Sequence, residues 1–531
     1  MKTKSNINER LPLVEYVSQL FEKARLDNTL IIACQHILPT NYQMFLSLID
    51  KGINPKNIFL LGKCYSTDKS ALENFIKIGV KVHKKSTYFD SYNSYDNEYA
   101  NIVSEFIEEI FKNISIKRYV KVILIDDGGF LINKANLFLN YVENVIGIEQ
   151  TSSGYDKIKD LKLRFPVINV ARSYAKLNYE SPIISEHFVN NVNIILKELK
   201  ISPKKILVMG KGAIGSQITK LLEKNKYVLS TFDNSEKSDI LSLDELKLKI
   251  HNFDIIIGCT GKNSLPISFY NNLKHNAVLI SASSSDREFD APRLRMLTER
   301  FYDCHQNVKL RDIYLLNAGF PLTFIEQGIG AEANKIQLTR ALIFSSILLA
   351  KTNNYLNGLI ELDKNLQKRI LEKFQESEEV EHRIIKWWNK SSKDYQKVSN
   401  IPIKVHYGPG SPFEDDLNLI GDVKGKSILE LGCGGAQCAI SFAKKGAKVT
   451  AVDISKLDFL IKKFDVVFSA MAFQYIQNLN KFFKEVNNKL LDEGLFVFSL
   501  DHPFYRLFDP YTLNLKERYF DIGKKVKKFD V

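Results

Sequence analysis

The chain has 531 residues, of which 45% are hydrophobic and 25% are charged, and this length exceeds what one hydrophobic core usually organises. The near-average composition excludes a disordered protein and predicts about two to four folded domains. The net charge of +13 comes mostly from lysines spread through the chain, so it favours a generally basic composition over a nucleic-acid-binding surface, which stays the alternative.

Signals for membranes, export and metals are weak in this sequence. The longest apolar stretches, such as ALIFSSILLA, are shorter than the roughly 20 residues that span a bilayer. The N-terminal segment lacks an apolar signal core, and the six cysteines form no C-x-x-C pair. We therefore expect a cytoplasmic protein that acts on a small molecule without a metal, and we leave a homo-oligomer open.

Short apolar runs alternate with amphipathic stretches over the first 180 residues, and a second series of this kind begins at Ile201. Such alternation predicts parallel sheets with crossover helices. A long helical pattern then covers about Asn334 to Glu376, and a third series follows it. We predict an α/β fold of three Rossmann-like parallel-sheet domains. Their predicted bounds are 1–184, 185–350 and 377–531, with a helical connection at 351–376.

The segment KKILVMGKGAIGSQITKLL joins an apolar strand to an amphipathic helix through Gly210, Gly212 and Gly215. Glycines in this pattern allow a tight turn and let the backbone approach a pyrophosphate at the helix N-terminus. The next strand ends at Asp233, where a carboxylate would bind a ribose hydroxyl and favour NAD over NADP. The alternative for Asp233 is a turn residue before Asn234.

Several segments between about residues 28 and 350 carry a family resemblance, and they occur in the order IIACQH, LIDDGGFL, GIEQTSSG, PVINVARSYAK, the glycine turn and LLNAG. Together they resemble S-adenosylhomocysteine hydrolase. The resemblance implies tightly bound NAD, oxidation of the substrate's ribose 3′-hydroxyl, elimination of the homocysteine thiol, and a later reduction that restores NAD.

The resemblance also implies site residues. His36, Asp127 and Lys176 would be the acid/base and ribose-contacting groups, and Thr151 would contact the cofactor. Such a mixture suits proton transfer, because a lysine can assist hydroxyl deprotonation while His and Asp position protons. The simpler alternatives are a strand-end histidine, a turn or helix-capping aspartate and a solvated loop lysine.

Other positions differ from the family pattern. Gln150 replaces a functional glutamate, and Ser284 stands where a histidine is expected. Glu180 and Ser181 replace an Asp-Asn pair, and the segment EQGIGAEANK replaces a G-H-P segment. Since Gln150 cannot ionise, we expect hydrolysis of S-adenosylhomocysteine to be absent or much weakened.

The segment KSILELGCGGAQCAISFAKKGAKVTAVDIS has the pattern strand, glycine-rich loop, helix and strand. Glu430, Gly432 and Gly434 form an acid-x-G-x-G loop, and Asp453 follows the second strand. Over about residues 377–518 the chain resembles class I S-adenosylmethionine-dependent methyltransferases. The resemblance implies that the glycines approach the cofactor's methionine part and ribose, and that Asp453 accepts the ribose hydroxyls. A turn of the NAD-binding type is the alternative.

Eleven residues separate Asp453 from Asp465, where the family has a helix, a third strand and an adenine-contacting loop. We therefore expect a domain that lacks its third strand unit and its C-terminal strands. His502 and Tyr505 would face the methyl acceptor. The leading hypothesis is a methyl-cycle enzyme, and the alternative is a non-catalytic NAD-binding regulatory or scaffold protein with a degenerate methyltransferase tail.

Overall fold

The computed structural model describes most of the chain, namely residues 7, 10–139, 144–225, 227–233, 238–298, 300, 302–324, 333–376, 388, 391–392, 401–408, 411–453, 462–472, 476 and 479–500. The chain forms two compact units. The larger unit is Lys2–Phe374, and the smaller unit begins at Gln375.

The strands and helices are numbered in chain order. The described strands are β1 Thr29–Cys34, β2 Ile58–Leu61, β3 Lys81–Val82, β4 Lys121–Asp126, β5 Val145–Glu149, β6 Pro166–Asn169, β7 Lys205–Met209, β8 Val228–Phe232, β9 Ile255–Gly258, β10 Ala277–Ser281, β11 Val308–Leu310, β12 Ile313–Leu315, β13 Gly358–Glu361, β14 Ser427–Leu431, β15 Lys448–Val452, β16 Phe464–Ala470 and β17 Leu490–Ser499. The described α-helices are α1 Pro12–Leu20, α2 Pro39–Asp50, α3 Lys69–Lys77, α4 Tyr95–Asn113, α5 Phe130–Phe138, α6 Ser152–Ile158, α7 Tyr174–Glu198, α8 Ala213–Lys224, α9 Leu243–Lys249, α10 Ala291–Met296, α11 Ala333–Thr352, α12 364–376, α13 Glu414–Leu417, α14 Gln437–Lys444 and α15 Leu479–Lys489.

The first sheet of the larger unit has the order β13-β6-β5-β4-β1-β2-β3, and all its strands are parallel. Its central strands are apolar because helices cover both faces; every residue of β1 and β5 is buried. Since parallel strands end at the same edge, the polar residues that follow β1, β2, β4 and β5 meet there.

The second sheet of the larger unit has the order β11-β12-β10-β9-β7-β8, and only β11 runs antiparallel to its neighbour. The smaller unit holds a parallel sheet of order β15-β14-β16-β17. The predicted α/β class, with three mostly parallel sheets, is confirmed. Among the described helices, none combines the length and apolar composition that crossing a bilayer requires.

The end of the larger unit differs from the prediction. The helical pattern over 334–376 is broken by β13, which pairs with β6 of the first sheet. Helix α11 places Leu342, Phe344 and Ile347 in the core that also contains Ile31 of β1. The segment assigned to the end of the NAD-binding domain and to a helical connection therefore packs on the first sheet, because β13 and α11 supply its edge and its cover.

Candidate functional site

Four polar side chains form a cluster at the carboxyl edge of the first sheet. We call His36, Lys63, Asp127 and Gln150 the Asp127 cluster. The Asp127 carboxylate accepts hydrogen bonds from the Lys63 ammonium and the Gln150 amide, and His36 Nε2 lies 3.3 Å from Asp127 Oδ2. The His36 ring stacks on Phe324 with 4.7 Å between the centroids. Asp127 is thus the centre of a buried, packed polar group.

Charge holds this cluster in one protonation state near neutral pH. Burial alone would raise the pKa of the Asp127 carboxyl, but the charge of Lys63 and hydrogen bonds from Lys63 and His36 outweigh burial and hold that pKa well below its usual range. Burial lowers the pKa of His36 in spite of Asp127, so the ring is neutral at pH 7. Because a carboxylate only accepts hydrogen bonds, Nε2 of His36 carries the proton, and Nδ1 accepts from the Ser66 hydroxyl.

A second buried carboxyl, Glu149, holds the loops around the cluster. It accepts hydrogen bonds from the Gly129 amide at 2.9 Å, the Thr151 amide at 2.6 Å and the Thr151 hydroxyl at 2.7 Å. Burial, followed by the charge of Asp126, raises the pKa of Glu149 to about 8. Thr151 also caps α6 through the Gly154 amide at 2.9 Å. The two loops that carry Asp127 and Gln150 are therefore tied to each other.

A pocket lies between this edge and the second sheet, within the larger unit. Its lining residues are Lys63, Tyr65, Tyr95, Asp96, Tyr99, Asp127, Gly128, Phe130, Thr151, Ser153, Ser284, Ser285 and Arg287. Arg287 crosses between the two sides, with its guanidinium 2.9 Å from Asp96 and 3.1 Å from the Ser153 hydroxyl. Thr151 and Ser284 thus share one pocket with Asp127.

Lys176 does not join the Asp127 cluster. It lies on α7, and its ammonium pairs with Glu180 one turn later at 2.7 Å. The other Glu180 oxygen accepts from the Thr339 hydroxyl of α11 at 2.7 Å. Of the three residues proposed for catalysis, the structure brings His36 and Asp127 together and gives Lys176 another partner.

The glycine turn connects β7 to α8 in the second sheet. Gly210 has φ +100°, and a Cβ there would lie 2.8 Å from the Cys259 carbonyl oxygen. A Cβ at Gly215 would lie 1.9 Å from the Gly210 carbonyl oxygen, so this glycine lets α8 pack against the strand. A Cβ at Gly212 would meet no atom within 4 Å. The space over Gly212 is therefore open, as backbone approach by a pyrophosphate requires.

Asp233 directly follows β8 and stands beside the glycine turn. Its Oδ2 accepts a hydrogen bond from the Lys211 amide at 2.5 Å. This contact places the carboxylate at the carboxyl end of the strand that neighbours β7. A ribose hydroxyl of a dinucleotide bound at the turn would find an acceptor there.

The glycine-rich loop of the smaller unit follows β14. Gly432 has φ +72° and Gly434 has φ +48°, backbone conformations that favour glycine. Glu430 is 4% exposed, and its Oε2 has no hydrogen-bond partner within the part of the chain that the structure describes. Burial, followed by the charge of Asp453, raises the pKa of Glu430 to about 7. Glu430 Oε2 is therefore a buried acceptor to which a ligand could donate a hydrogen bond.

Asp453 is exposed and directly follows β15, which pairs with β14 in parallel. Its charge raises the pKa of Glu430, so the two acids lie near each other. Strand β16 then pairs on the other side of β14. Residues 454–461 of the short connection, His502 and Tyr505 lie outside the described residues.

Comparison with known proteins bears chiefly on the smaller unit. Residues 409–517 match the family model of a methyltransferase domain. Over these residues the smaller unit is thus similar to a methyltransferase domain. A ubiquinone biosynthesis O-methyltransferase of Chromobacterium violaceum is 29% identical over 91 residues, which are 17% of this chain and 35% of that protein.

Two further similarities involve longer stretches of the chain. An uncharacterized protein of Mycobacterium tuberculosis is 38% identical over 329 residues, which are 61% of this chain, and the chain spans 64% of the length of that relative. The NAD+-bound 3-phosphoglycerate dehydrogenase of Entamoeba histolytica is similar with 11% identity and a TM-score of 0.30, over 62% of this chain and 100% of that one. A score this low bears neither on cofactor nor on substrate.

The sequence motifs do not predict two cations of this site, Lys63 in the Asp127 cluster and Arg340 near it. Lys63 comes two residues after β2, and the run IFLLGK could have indicated a polar residue at the same edge as Asp127. Arg340 lies within α11 and is 4% exposed, and no local pattern distinguishes it from a solvent-facing arginine. Both gain their positions from contacts between distant parts of the chain.

Proposed function

We propose that the larger unit binds NAD at the Gly210–Gly215 turn and a small polar substrate at the Asp127 cluster, and that the smaller unit transfers a methyl group from S-adenosylmethionine. The observation that carries the NAD assignment is the open space over Gly212, between two glycines that the packing requires. The methyltransferase domain match carries the second assignment.

The residues of the glycine turn fit a dinucleotide. The open backbone at Gly212 and the N-terminus of the 12-residue helix α8 suit a pyrophosphate, and Asp233 suits a ribose hydroxyl. NAD, when bound, would supply a hydride acceptor. The chain itself contributes groups for the pyrophosphate and one ribose, and a pocket that Lys63 and Asp127 help to line.

The Asp127 cluster suits recognition of a hydroxyl-bearing substrate. Asp127 stays ionised, so it can accept a hydrogen bond but cannot deliver a proton near pH 7. The Gln150 amide is turned with its nitrogen toward Asp127, and its Oε1 is buried without a partner in the described part of the chain. A substrate hydroxyl or amine that donates to this oxygen would satisfy it.

In the smaller unit, Glu430 and Asp453 suit the polar groups of S-adenosylmethionine. The left-handed backbone at Gly432 and Gly434 shapes the loop, and Glu430 Oε2, which has no partner among the described residues, offers an acceptor. The short connection after Asp453 leaves less chain to cover the adenine, so we expect weak but measurable binding. Loss of about 60–100 Å² of apolar burial costs roughly 1.5–2.5 kcal/mol, or about 10- to 70-fold in affinity.

A regulatory NAD-binding protein is the second candidate function of the larger unit. The neutral Gln150 favours it, because the amide leaves Asp127 as the one carboxylate of the cluster and removes a proton acceptor. The two functions differ in turnover. An NAD-dependent enzyme reduces its cofactor when given substrate, whereas a regulatory protein retains NAD unchanged.

The test is the nucleotide content of the purified full-length protein, released by acid and identified by chromatography. We expect NAD in the wild type and none in Gly212→Val. The backbone of Gly212 has φ −64°, which any residue adopts, so the substitution fills the open space without straining the turn. Equal NAD content in both proteins would contradict the assignment.

A further inference from the structure

Arg340 is a buried cation near the Asp127 cluster that the proposed function does not use. It lies in the first half of α11 and is 4% exposed, and its Nε lies 3.4 Å from the Thr40 hydroxyl of α2. Burial lowers the pKa of the guanidinium to about 10, although the charges of Glu180 and Asp127 oppose the shift. An arginine at this depth needs a partner for its charge.

The nearby carboxylates already hold other cations. Glu180 pairs with Lys176 at 2.7 Å, and Asp127 pairs with Lys63. Within the described stretches of the chain, no carboxylate lies at ion-pair distance from Arg340. Among the described residues, the local charges therefore leave this buried cation uncompensated, which is unfavourable unless an anion is supplied.

The N-terminus of α2 lies beside the Arg340 guanidinium. Thr40 is the second residue of the 12-residue helix α2, which begins three residues after His36. Its N-cap residue is Leu38, and no side chain caps the helix. Pro39 has no N–H, so the N-terminal donors begin at Thr40, and these donors and the helix dipole favour an anion. Arg340 and the start of α2 thus converge at Thr40.

We propose that Arg340 and the N-terminus of α2 bind a carboxylate or phosphate group of the larger unit's substrate. The charge of Asp127 acts on Arg340, and that of Arg340 acts on His36, so the anion would sit beside the Asp127 cluster. This inference rests on the proposed substrate site and deepens it. The substrate is an anionic small molecule whose acid group is held apart from the hydroxyl that faces Gln150.

The test measures the thermal unfolding of the full-length protein by calorimetry, in KCl, potassium acetate and potassium phosphate of equal ionic strength. The two tryptophans of the chain are Trp387 and Trp388, both in the smaller unit. Tryptophan fluorescence therefore reports the unfolding of the smaller unit, and the remaining calorimetric transition belongs to the larger unit. The proteins compared are the wild type, Arg340→Met, Arg340→Lys and Lys335→Met. Lys335→Met removes the same charge from a half-buried position on α11, where Lys335 pairs with Glu186.

We expect one of the two oxyanions to raise the melting temperature of the larger unit by about 2 °C over KCl at roughly ten times its Kd. Acetate alone points to a carboxylate, and phosphate to a phosphoryl group. Arg340→Met should lose the shift and melt higher than the wild type in KCl, because it removes an uncompensated buried cation. Arg340→Lys should keep part of the shift, and Lys335→Met all of it.

Several results would overturn the inference. These are no shift in the wild type, an unchanged shift in Arg340→Met, and an Arg340→Met protein that melts lower in KCl or does not fold. An Arg340→Met protein that melts lower or does not fold would mean that a protein group compensates the charge of Arg340. The shift must persist in Gly212→Val, since phosphate could otherwise act at the glycine turn. NAD content measured on the same preparations separates failure of this inference from failure of the NAD assignment.

Discussion

Asp127 in the larger unit and Glu430 in the smaller unit are both buried carboxyls at the carboxyl edge of a parallel sheet. Their hydrogen-bond partners differ, and their pKa values shift in opposite directions. Asp127 is surrounded by three donors, which hold its pKa well below the usual range against burial. Within the described part of the chain, Glu430 Oε2 has no partner, and burial raises the pKa of Glu430 to about 7.

The two carboxyls differ in how far the chain itself offsets the cost of their burial. The cost of burying Asp127 is already met by the chain, so this carboxylate is fixed in charge and orients its neighbours. The cost of burying Glu430 is not met until a donor arrives or a proton binds. The smaller unit's site is therefore coupled to pH and ligand, whereas the Asp127 cluster keeps its charges across the neutral range.

The strongest destabilisation should come from Lys63→Met, which leaves Asp127 buried without its main cation. We expect the larger unit to lose about 3–5 kcal/mol of unfolding free energy at pH 7, as broken buried ion pairs do. Urea unfolding followed by circular dichroism measures this, with tryptophan fluorescence as the internal control for the smaller unit. The double variant Lys63→Met/Asp127→Asn should recover part of the loss, and a single variant as stable as the wild type would refute the compensation of Asp127 by Lys63.

Because the pKa of Glu149 is raised, we expect the unfolding free energy of the larger unit to depend on pH. Its pKa is raised in the folded protein to about 8, so its contribution is fully present below the unfolded pKa and is lost as pH rises through 8. Between about pH 4.5 and 8, stability should fall by roughly 1.4 kcal/mol per pH unit from this group alone. Glu149→Gln should flatten that slope. A wild type and variant with parallel stability profiles would argue against a protonated Glu149.

The smallest effect concerns Glu430. With a pKa of about 7, its ionised fraction rises about tenfold between pH 6 and pH 8, so S-adenosylmethionine should bind about tenfold more tightly at pH 8. Glu430→Gln keeps the shape and should bind with little pH dependence over that range. Titration calorimetry at the two pH values measures both. Equal pH dependence in the variant would assign the effect to another group.

Local sequence patterns predicted what depends on local backbone chemistry. The glycines at 210, 212 and 215 could be recognised because a strand, a turn and a helix follow each other within one segment, and the placement of His36 and Asp127 at strand ends follows from the parallel sheet. The contact between Lys63 and Asp127 joins residues 64 positions apart. No local pattern contains it.

The last part of the larger unit was misassigned for the same reason. Strand β13 is four residues long and pairs with β6, almost two hundred positions earlier, so its partner is decided by the tertiary fold. Helix α11 carries apolar residues around most of its surface and gives no amphipathic signal of the sheet that it covers. Arg340 lies on that helix, and its burial could be seen only in the folded chain.

Titration of the full-length protein with NAD and with S-adenosylmethionine shows whether one chain holds two independent nucleotide sites. We predict one site for each ligand in the wild type. Gly212→Val should lose NAD binding alone, and Asp453→Ala should weaken S-adenosylmethionine binding alone. If NAD does not bind, or if either variant loses both ligands while still folded, the account of two separate sites is contradicted.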